Sequence, residues 1–449
     1  MALHNVFEFR WKNFKGFKDT DWIKIKPLTL LLGPNNSGKT SFISPILLMS
    51  QTISSRDPIT PIITRGKITD QGSYRDLVHA YDTSKSLFFG FRYHIHEPEK
   101  KLKKIGTYPP GTIEIVFNQG KDSSEIYLKS HKVYDMYFRL FYSLTRTNAG
   151  NWSIRGVNTK KMRKKERIAI NKSQPINFLF SPTPTLHNID KQLGEDTNYK
   201  SERFSEEFSH FIQASAYNYS ELRNIFNRLS YIGPLREIPY RYYQTASENY
   251  LTVGPKGENT ANLLKIHIDK YQDEINEWIK KFDFGDELLI KDLSDELFTI
   301  SFLNNKTHTK TNIANVGFGA SQVLPLIVQA LISPKESMTI AEQPEIHLNP
   351  KLQCILADLF SHMVSKDQRI IVETHSEHLL LSIRRLVAEK KIKSNDVAIY
   401  FVEKINDLSH IREIPLQENG HIEPIDWPKG FFQETLKESL ALATEQAKI

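Results

Sequence analysis

The stretch Gly33-Pro34-Asn35-Asn36-Ser37-Gly38-Lys39-Thr40-Ser41 constrains the fold of this chain more than any other. It fits G-x-x-x-x-G-K-[ST], a loop that wraps phosphate oxygens between a strand and a helix. Two glycines let the backbone approach those oxygens, which a Cβ would block. Loop N–H groups and the following helix N-terminus supply partial positive charge. Lys39 is placed to reach β- and γ-phosphates, and the Thr40 hydroxyl to ligate Mg²⁺. The flanks agree. Leu28-Thr29-Leu30-Leu31-Leu32 reads as a buried parallel strand, and Phe42 to Met49 as an apolar helix in which Pro45 should either cause a kink or sit near the first turn.

The 449-residue chain has room for two or three domains, or one α/β domain with insertions. Its 39% hydrophobic and 25% charged residues suit a globular protein. No apolar run reaches the roughly 18 residues of a membrane span, and Met1 to Val6 does not read as a secretion signal. The single cysteine, Cys354, cannot close an intrachain disulfide and falls in an apolar helical pattern, so it reads as a small core residue in a reducing cytoplasm. A net charge of +7 permits nucleic-acid contact without requiring it. Part of the excess lies in two runs, Lys100 to Lys104 and Lys160 to Arg167, which read as solvated surface.

In chain order, Phe7 to Trp11 and Trp22 to Lys26 alternate as strands of a small hairpin edge, with Phe14 and Phe17 in the turn. Gln71, before Gly72, is either a γ-phosphate or Mg²⁺-water contact or a turn residue. Residues 97–200 carry both basic runs and Pro-rich turns, and read as a loop-bearing insertion. Helical spacing returns over 201–230 and again over 258–285, and strands are expected over 287–303. The segment Tyr231-Ile232-Gly233-Pro234-Leu235-Arg236, with Arg241 beyond it, either presents cations to phosphate or is a turn with solvated arginines. The implied division is 1–96 for the first half of the nucleotide head, 97–230 for an inserted basic, partly helical lobe, and 231–449 for the second half.

Three later elements complete a site. Gly317-Phe318-Gly319-Ala320-Ser321-Gln322 precedes an apolar helix whose first turn would hold Pro325, making an anion-binding helix end. Met338 to Ala341 forms a short strand ending in Glu342-Gln343-Pro344-Glu345, where a Mg²⁺-organising acid belongs. Arg369 to Val372 is another buried strand, ending in Glu373-Thr374-His375-Ser376, and His375 there could sense a γ-phosphate.

The order of these elements resembles the ABC-type ATPase heads of the structural-maintenance and overcoming-lysogenization-defect groups. The resemblance implies a P-loop α/β fold with a mixed or parallel central sheet and an inserted, mostly helical lobe. It implies ATP and Mg²⁺ as cofactors. Asn35, Asn36, Ser37, Gly38, Lys39, Thr40 and Ser41 would bind the nucleotide. Gly319, Ser321 and Gln322 would complete the site of the opposite subunit, so that the chain works at least as a head-to-head dimer, with a hexamer as the larger assembly. Glu342 takes the metal-organising (Walker B) position, joined at the metal by Thr40 and, in one reading, Gln71. His375 takes the switch position. The family glutamate that activates water is replaced here by Gln343, which can orient water but cannot take its proton. Either Glu345 takes over, or hydrolysis is slow and ATP acts as a clamp.

Gly317 to Pro325, Glu342 to Pro350, Tyr231 to Arg236 and the Trp427-Pro428-Lys429-Gly430-Phe431-Phe432 ending are similar to one subgroup: bacterial ATPases of anti-phage and abortive-infection systems. Asn349 stands where many relatives have histidine. Among these systems the ATPase half of PARIS-type defence fits the compact size best, with the Septu and Gabija ATPases as alternatives. About 75 residues follow His375, too few for a built-in Toprim nuclease domain, so the resemblance implies a separate toxic effector of Toprim type, released or activated when a phage protein is sensed. The competing expectation is a RecF-like repair ATPase that clamps DNA; a transporter head is a third. Without sustained heptads over 80–310, long coiled-coil arms are not expected.

Overall fold

The computed structural model describes residues 4–95, 110–122, 124–156, 159–193, 204–427, 441, 442, 444 and 446. Lys100 to Lys104 and Pro428 to Phe432 therefore lie outside the described residues. The chain divides into two units: Met1–Ile25, Thr40–Asn227 and Lys404–His410 form one, and Lys26–Lys39, Arg228–Glu403 and Ile411–Ile449 the other. This partition differs from three consecutive blocks, because the P-loop strand is assigned with the second half of the chain.

The first unit is built on an antiparallel sheet. Its strands are β1 (His4–Phe14), β2 (Phe17–Asp19) and β3 (Ile23–Ile25), then β5 (Leu87–Ile95), β6 (Pro110–Gln119), β7 (Ile126–Asp135), β8 (Leu140–Arg146) and β9 (Trp152–Gly156), where β4 is reserved for the P-loop strand. The order is β2-β1-β5-β6-β7-β8-β9, with β3 also on β1. The expected hairpin forms that edge of the sheet, since β2 and β3 pair only with β1: Phe9 of β1 opposes Ile23 of β3 on one side and Phe91 of β5 on the other. Alternation explains the core. Phe9, Trp11, Phe89, Phe91 and Phe117 point to one face and pack edge-to-face at 5.5–5.9 Å. Such aromatic pairs add about 0.5–1.5 kcal/mol each beyond area burial. The nominal loop region 97–200 contributes β6 to β9. Their short period-2 runs are interrupted by bulges at Pro110/Thr112, Val116/Phe117 and Val133/Tyr134, which blur the alternation.

Helix α1 (Lys39–Ile53) follows the P-loop, with Pro45 inside it, and is buried nearly throughout after Ser41. A short α2 (Tyr74–Leu77) follows Gln71. Further on come α3 (Lys164–Asn171), α4 (Pro182–Leu193) and α5 (Glu206–Asn227). The last lies on the sheet through Phe226, 5.7 Å from Phe91. Lys160, Lys161, Arg163, Lys164 and Arg167 are exposed, as a solvated run should be.

The second unit holds a six-stranded sheet. Its strands are β4 (Leu28–Leu32), β10 (Leu229–Ile232), β15 (Met338–Glu342), β16 (Arg369–Glu373), β17 (Val397–Ile405) and β18 (Leu408–Glu413), in the order β10-β15-β16-β4-β17-β18. The first five pair in parallel. All five residues of β4 and of β15 are buried, as continuous apolar runs in a doubly covered sheet must be. The intervening β11 (Tyr243–Gln244), β12 (Glu287–Asp292), β13 (Leu297–Asn304) and β14 (Thr309–Asn312) make a separate antiparallel sheet. Helices α6 (Thr260–Lys281), α7 (Phe318–Ile332), α8 (Pro350–Ser365) and α9 (Glu377–Ala388) join these strands in one apolar core. Cys354 is half-buried on α8, outside that core, because it falls beside the inward stripe of Leu352, Leu356 and Phe360. Among the described residues, no helix is long and apolar enough to cross a membrane.

Candidate functional site

Gly33 leaves β4 at φ +145°, and a Cβ there would lie 2.1 Å from the Val402 carbonyl oxygen of β17. Only glycine fits, which explains the first motif position by sterics within the sheet. Asn36 at φ +60° and Gly38 at φ +113° carry the loop round to α1. Pro34, Asn35 and Asn36 are exposed, Ser37 is buried and Gly38 half-buried. Thr40 and Ser41 are the second and third residues of α1, with Thr40 exposed.

Lys39 is buried at 4% exposure. Its Nζ donates to the Gly33 and Pro34 carbonyls at 3.1 and 2.8 Å and lies 4.0 Å from Glu373 Oε1. Burial lowers its pKa, and Glu373, Glu345 and Glu342 oppose that shift. Parallel register places the two acids together: Glu342, last in β15, pairs with Glu373, last in β16, and Glu373 pairs with Leu31 of β4. The strand carrying Glu373 therefore lies between the P-loop strand and the strand carrying Glu342. The Glu342 carboxylate is buried, accepts from Tyr231 Oη at 3.0 Å, and is pushed up to about 7, first by burial and then by Glu373. Tyr231 is driven up in turn, by burial and by Glu342.

Gln343 follows at φ +44°, and its N–H donates to the Glu373 carbonyl at 2.7 Å. Glu345 is buried, its pKa raised by that burial; Oε1 accepts the His375 N–H at 2.7 Å, while Oε2 has no partner among the described residues. His375 is half-buried, and its pKa is lowered by burial and by Lys39. Its Nε2 has no partner among the described residues. Asn349 supplies the N-cap of α8, accepting from Leu352 N–H at 3.0 Å, which accounts for a short polar side chain there. Ser376 caps α9 in the same way through Leu379 N–H at 2.9 Å.

Helix α7 starts a turn earlier than the sequence pattern suggested. Gly317 is its N-cap, Phe318 its first residue, and Pro325 sits inside rather than in the first turn. Gly319, Ser321 and Gln322 are thus the second, fourth and fifth residues of this helix. Gly319 lies against Leu348, 3.3 Å from where its Cβ would be. Ser321 and Gln322 are buried in this chain. Arg236 is buried too, donating to Gln322 Oε1 at 3.0 Å and to the Glu342 carbonyl at 3.1 Å, so it is neither a phosphate-facing nor a solvated arginine. Burial lowers its pKa to about 10.

Lys39, Glu342, Gln343, Glu345 and His375 are thereby brought to one end of the parallel sheet. Gln71 lies in the irregular stretch before α2, with its amide taken up by Lys15 and by Thr69. Glu373 and Tyr231 are the residues that sequence reasoning left without a role. Glu373 had a signal, an acid at the end of an apolar strand next to His375; its contact with Lys39 depends on strand order, which the motif does not encode.

The residues fit a nucleotide with its magnesium. The loop is open to solvent at Pro34 to Asn36 and lined by a buried amine, and a hydroxyl and a strand-end acid are available as metal ligands. Among the described residues no group of three or more His, Cys, Asp or Glu could hold a metal ion.

Comparison with known proteins bears on the fold and family. Among solved structures, an SMC head domain from Thermotoga maritima is 11% identical, covering 91% of this chain and 99% of that one with a TM-score of 0.37. An SMC head bound to the C-winged helix domain of ScpA is 11% identical, covering 92% and 98%, with a TM-score of 0.42. A Smc head with coiled coil and joint from Pyrococcus yayanosii is 10% identical, covering 93% and 98%, with a TM-score of 0.39. No curated protein matches the chain. A family described as "Protein of unknown function (DUF3696)" matches residues 392–442. The family described as "AAA ATPase domain" matches residues 7–380, and this chain belongs to it.

Proposed function

We propose that this chain binds Mg²⁺·ATP in the P-loop and hydrolyses it slowly. The observation that carries this reading is the meeting of Lys39 with Glu342 and Glu373 at the ends of three neighbouring strands. Lys39 exchanges its loop carbonyls for β- and γ-phosphate oxygens. Thr40 and Glu342 hold the ion, which when bound supplies charge neutralisation on the phosphates. Gln343, turned by its positive φ, orients the attacking water through its amide. Glu345 carries the basic oxygen available to take a proton, at Oε2, while Oε1 holds the His375 loop. His375, whose Nε2 has no partner among the described residues, would sense the γ-phosphate. With an amide in place of the water-activating acid, turnover falls below about 1 s⁻¹, the low end of ordinary enzymes.

At the cellular level we infer a sensor and scaffold ATPase of an anti-phage system. It self-associates through the Ser321 end of α7, holds a separate Toprim-type nuclease, and releases or activates it on meeting a phage protein. The support is the sequence resemblance of Gly317 to Pro325 and Glu342 to Pro350 to that subgroup. DNA is not required.

Fluorescent ATP-analogue binding to the wild-type chain and to Lys39→Ala tests the site: binding is expected in the first and not the second, and equal binding would refute it. Affinity capture of the tagged chain from its host with ATP and Mg²⁺ tests the wider reading. A stoichiometric nuclease supports it; DNA or repair factors instead support a DNA clamp.

A further inference from the structure

Arg236 lies four residues beyond β10, between two exposed neighbours, Leu235 and Glu237. It alone of the three turns inward, to 8% exposure. Both its hydrogen-bond acceptors are neutral: the Gln322 amide oxygen at 3.0 Å and the Glu342 backbone carbonyl at 3.1 Å. Its Nε has no partner among the described residues, although Glu345 acts on it through charge. Burying a guanidinium on such terms carries a desolvation cost that an apolar side chain would avoid. Simple filling of space therefore does not explain an arginine here.

The acceptors give a reason. One belongs to the residue after Ser321, the fifth of α7; the other belongs to Glu342 itself. Glu345, the acid acting on the guanidinium, also holds the His375 N–H. A planar fork fixes the relative position of its two acceptors, which a lysine ammonium does not. We propose that Arg236 is a positioning residue that couples the end of β15 to the start of α7, so that filling of the P-loop site sets the position of Ser321. This rests on the nucleotide reading above. When the Glu342 turn adjusts to a bound ion, its carbonyl moves the fork, and the fork moves Gln322 and the helix end.

Hydrogen–deuterium exchange on the full chain, with and without ATP and Mg²⁺, tests the coupling in wild type, Arg236→Met and Arg236→Lys. In wild type the nucleotide should slow exchange at 33–40 and also at 317–323. In Arg236→Met it should slow 33–40 only, with ATP affinity within about threefold of wild type and turnover reduced about tenfold, the size of an ordinary coupling energy. Arg236→Lys should recover part of the second effect. Equal protection of 317–323 in wild type and Arg236→Met overturns the coupling and leaves the nucleotide reading standing. Absence of protection at 33–40 in wild type overturns both. If Arg236→Met does not fold, Arg236→Gln keeps a polar side chain too short to bridge both acceptors and should lose protection at 317–323 while keeping it at 33–40; retained protection at 317–323 overturns the proposal.

Discussion

Lys39 is held by two carbonyls of its own loop and faces a buried glutamate, so its amine is already desolvated before any phosphate arrives. Glu373→Gln should therefore keep the fold but alter nucleotide handling. Half-saturating Mg²⁺ for ATPase activity is expected to rise about tenfold, because Glu373 adds negative charge beside Glu342; an unchanged Mg²⁺ titration would show that Glu373 only holds the empty loop. Glu342→Gln should retain ATP binding and lose hydrolysis, measured by analogue binding against phosphate release. A different residue, in the antiparallel unit, should contribute to its acid sensitivity. His131 is fully buried between Tyr142 and Phe180, with neither ring nitrogen partnered among the described residues, and burial lowers its pKa to about 3. The unfolded chain binds a proton near pH 6.5 that the folded chain refuses until about 3, so stability contributed by this site is present above pH 6.5 and lost as pH falls through that window. His131→Phe should flatten the fall of melting temperature between pH 6.5 and pH 4; an unchanged slope would show that other groups control it.

At the scale of elements, the strand-to-loop turn at Gly33 and the caps of α8 and α9 decide where side chains point. Gly33→Ala adds a Cβ 2.1 Å from the Val402 oxygen at a positive φ, so β4 and β17 must separate. The expected cost is at least about 2 kcal/mol, with loss of ATP binding, read by chemical denaturation and analogue titration. Asn349→Ala removes an N-cap and should cost about 1 kcal/mol by the same denaturation measurement. Its larger use is positional, since α8 starts directly after the turn that carries Glu345.

For the whole molecule, the α7 opening turn is the part of the candidate site with no nucleotide loop of its own. If Ser321 serves a second copy, the chain should dimerise or assemble further in ATP and Mg²⁺, most stably as Glu342→Gln, where hydrolysis does not release it. Sedimentation velocity measures this, and a monomer in every nucleotide state would refute trans use of Ser321. The two contact units also bear on any truncation. A cut at the expected boundary near residue 97 separates β5 from β6, two neighbours in one sheet, so such fragments should aggregate rather than fold.

The sequence by itself determined the P-loop, the buried runs of β4, β15 and β16, and the helices α1 and α8 that follow the first two. Each of these is a local pattern whose period or steric demand is complete within about ten residues. It also placed Glu342, Gln343, Glu345 and His375 at strand ends, because an apolar run stops where a charge appears. Only the tertiary structure decided which strand ends are neighbours. Placing β16 between β4 and β15 brings Glu373 to Lys39 and to Glu342, and no local pattern reports strand order. The same holds for Arg236, whose acceptors lie 86 and 106 residues away, and for β6 to β9, whose bulged alternation becomes a sheet through pairing across the strands.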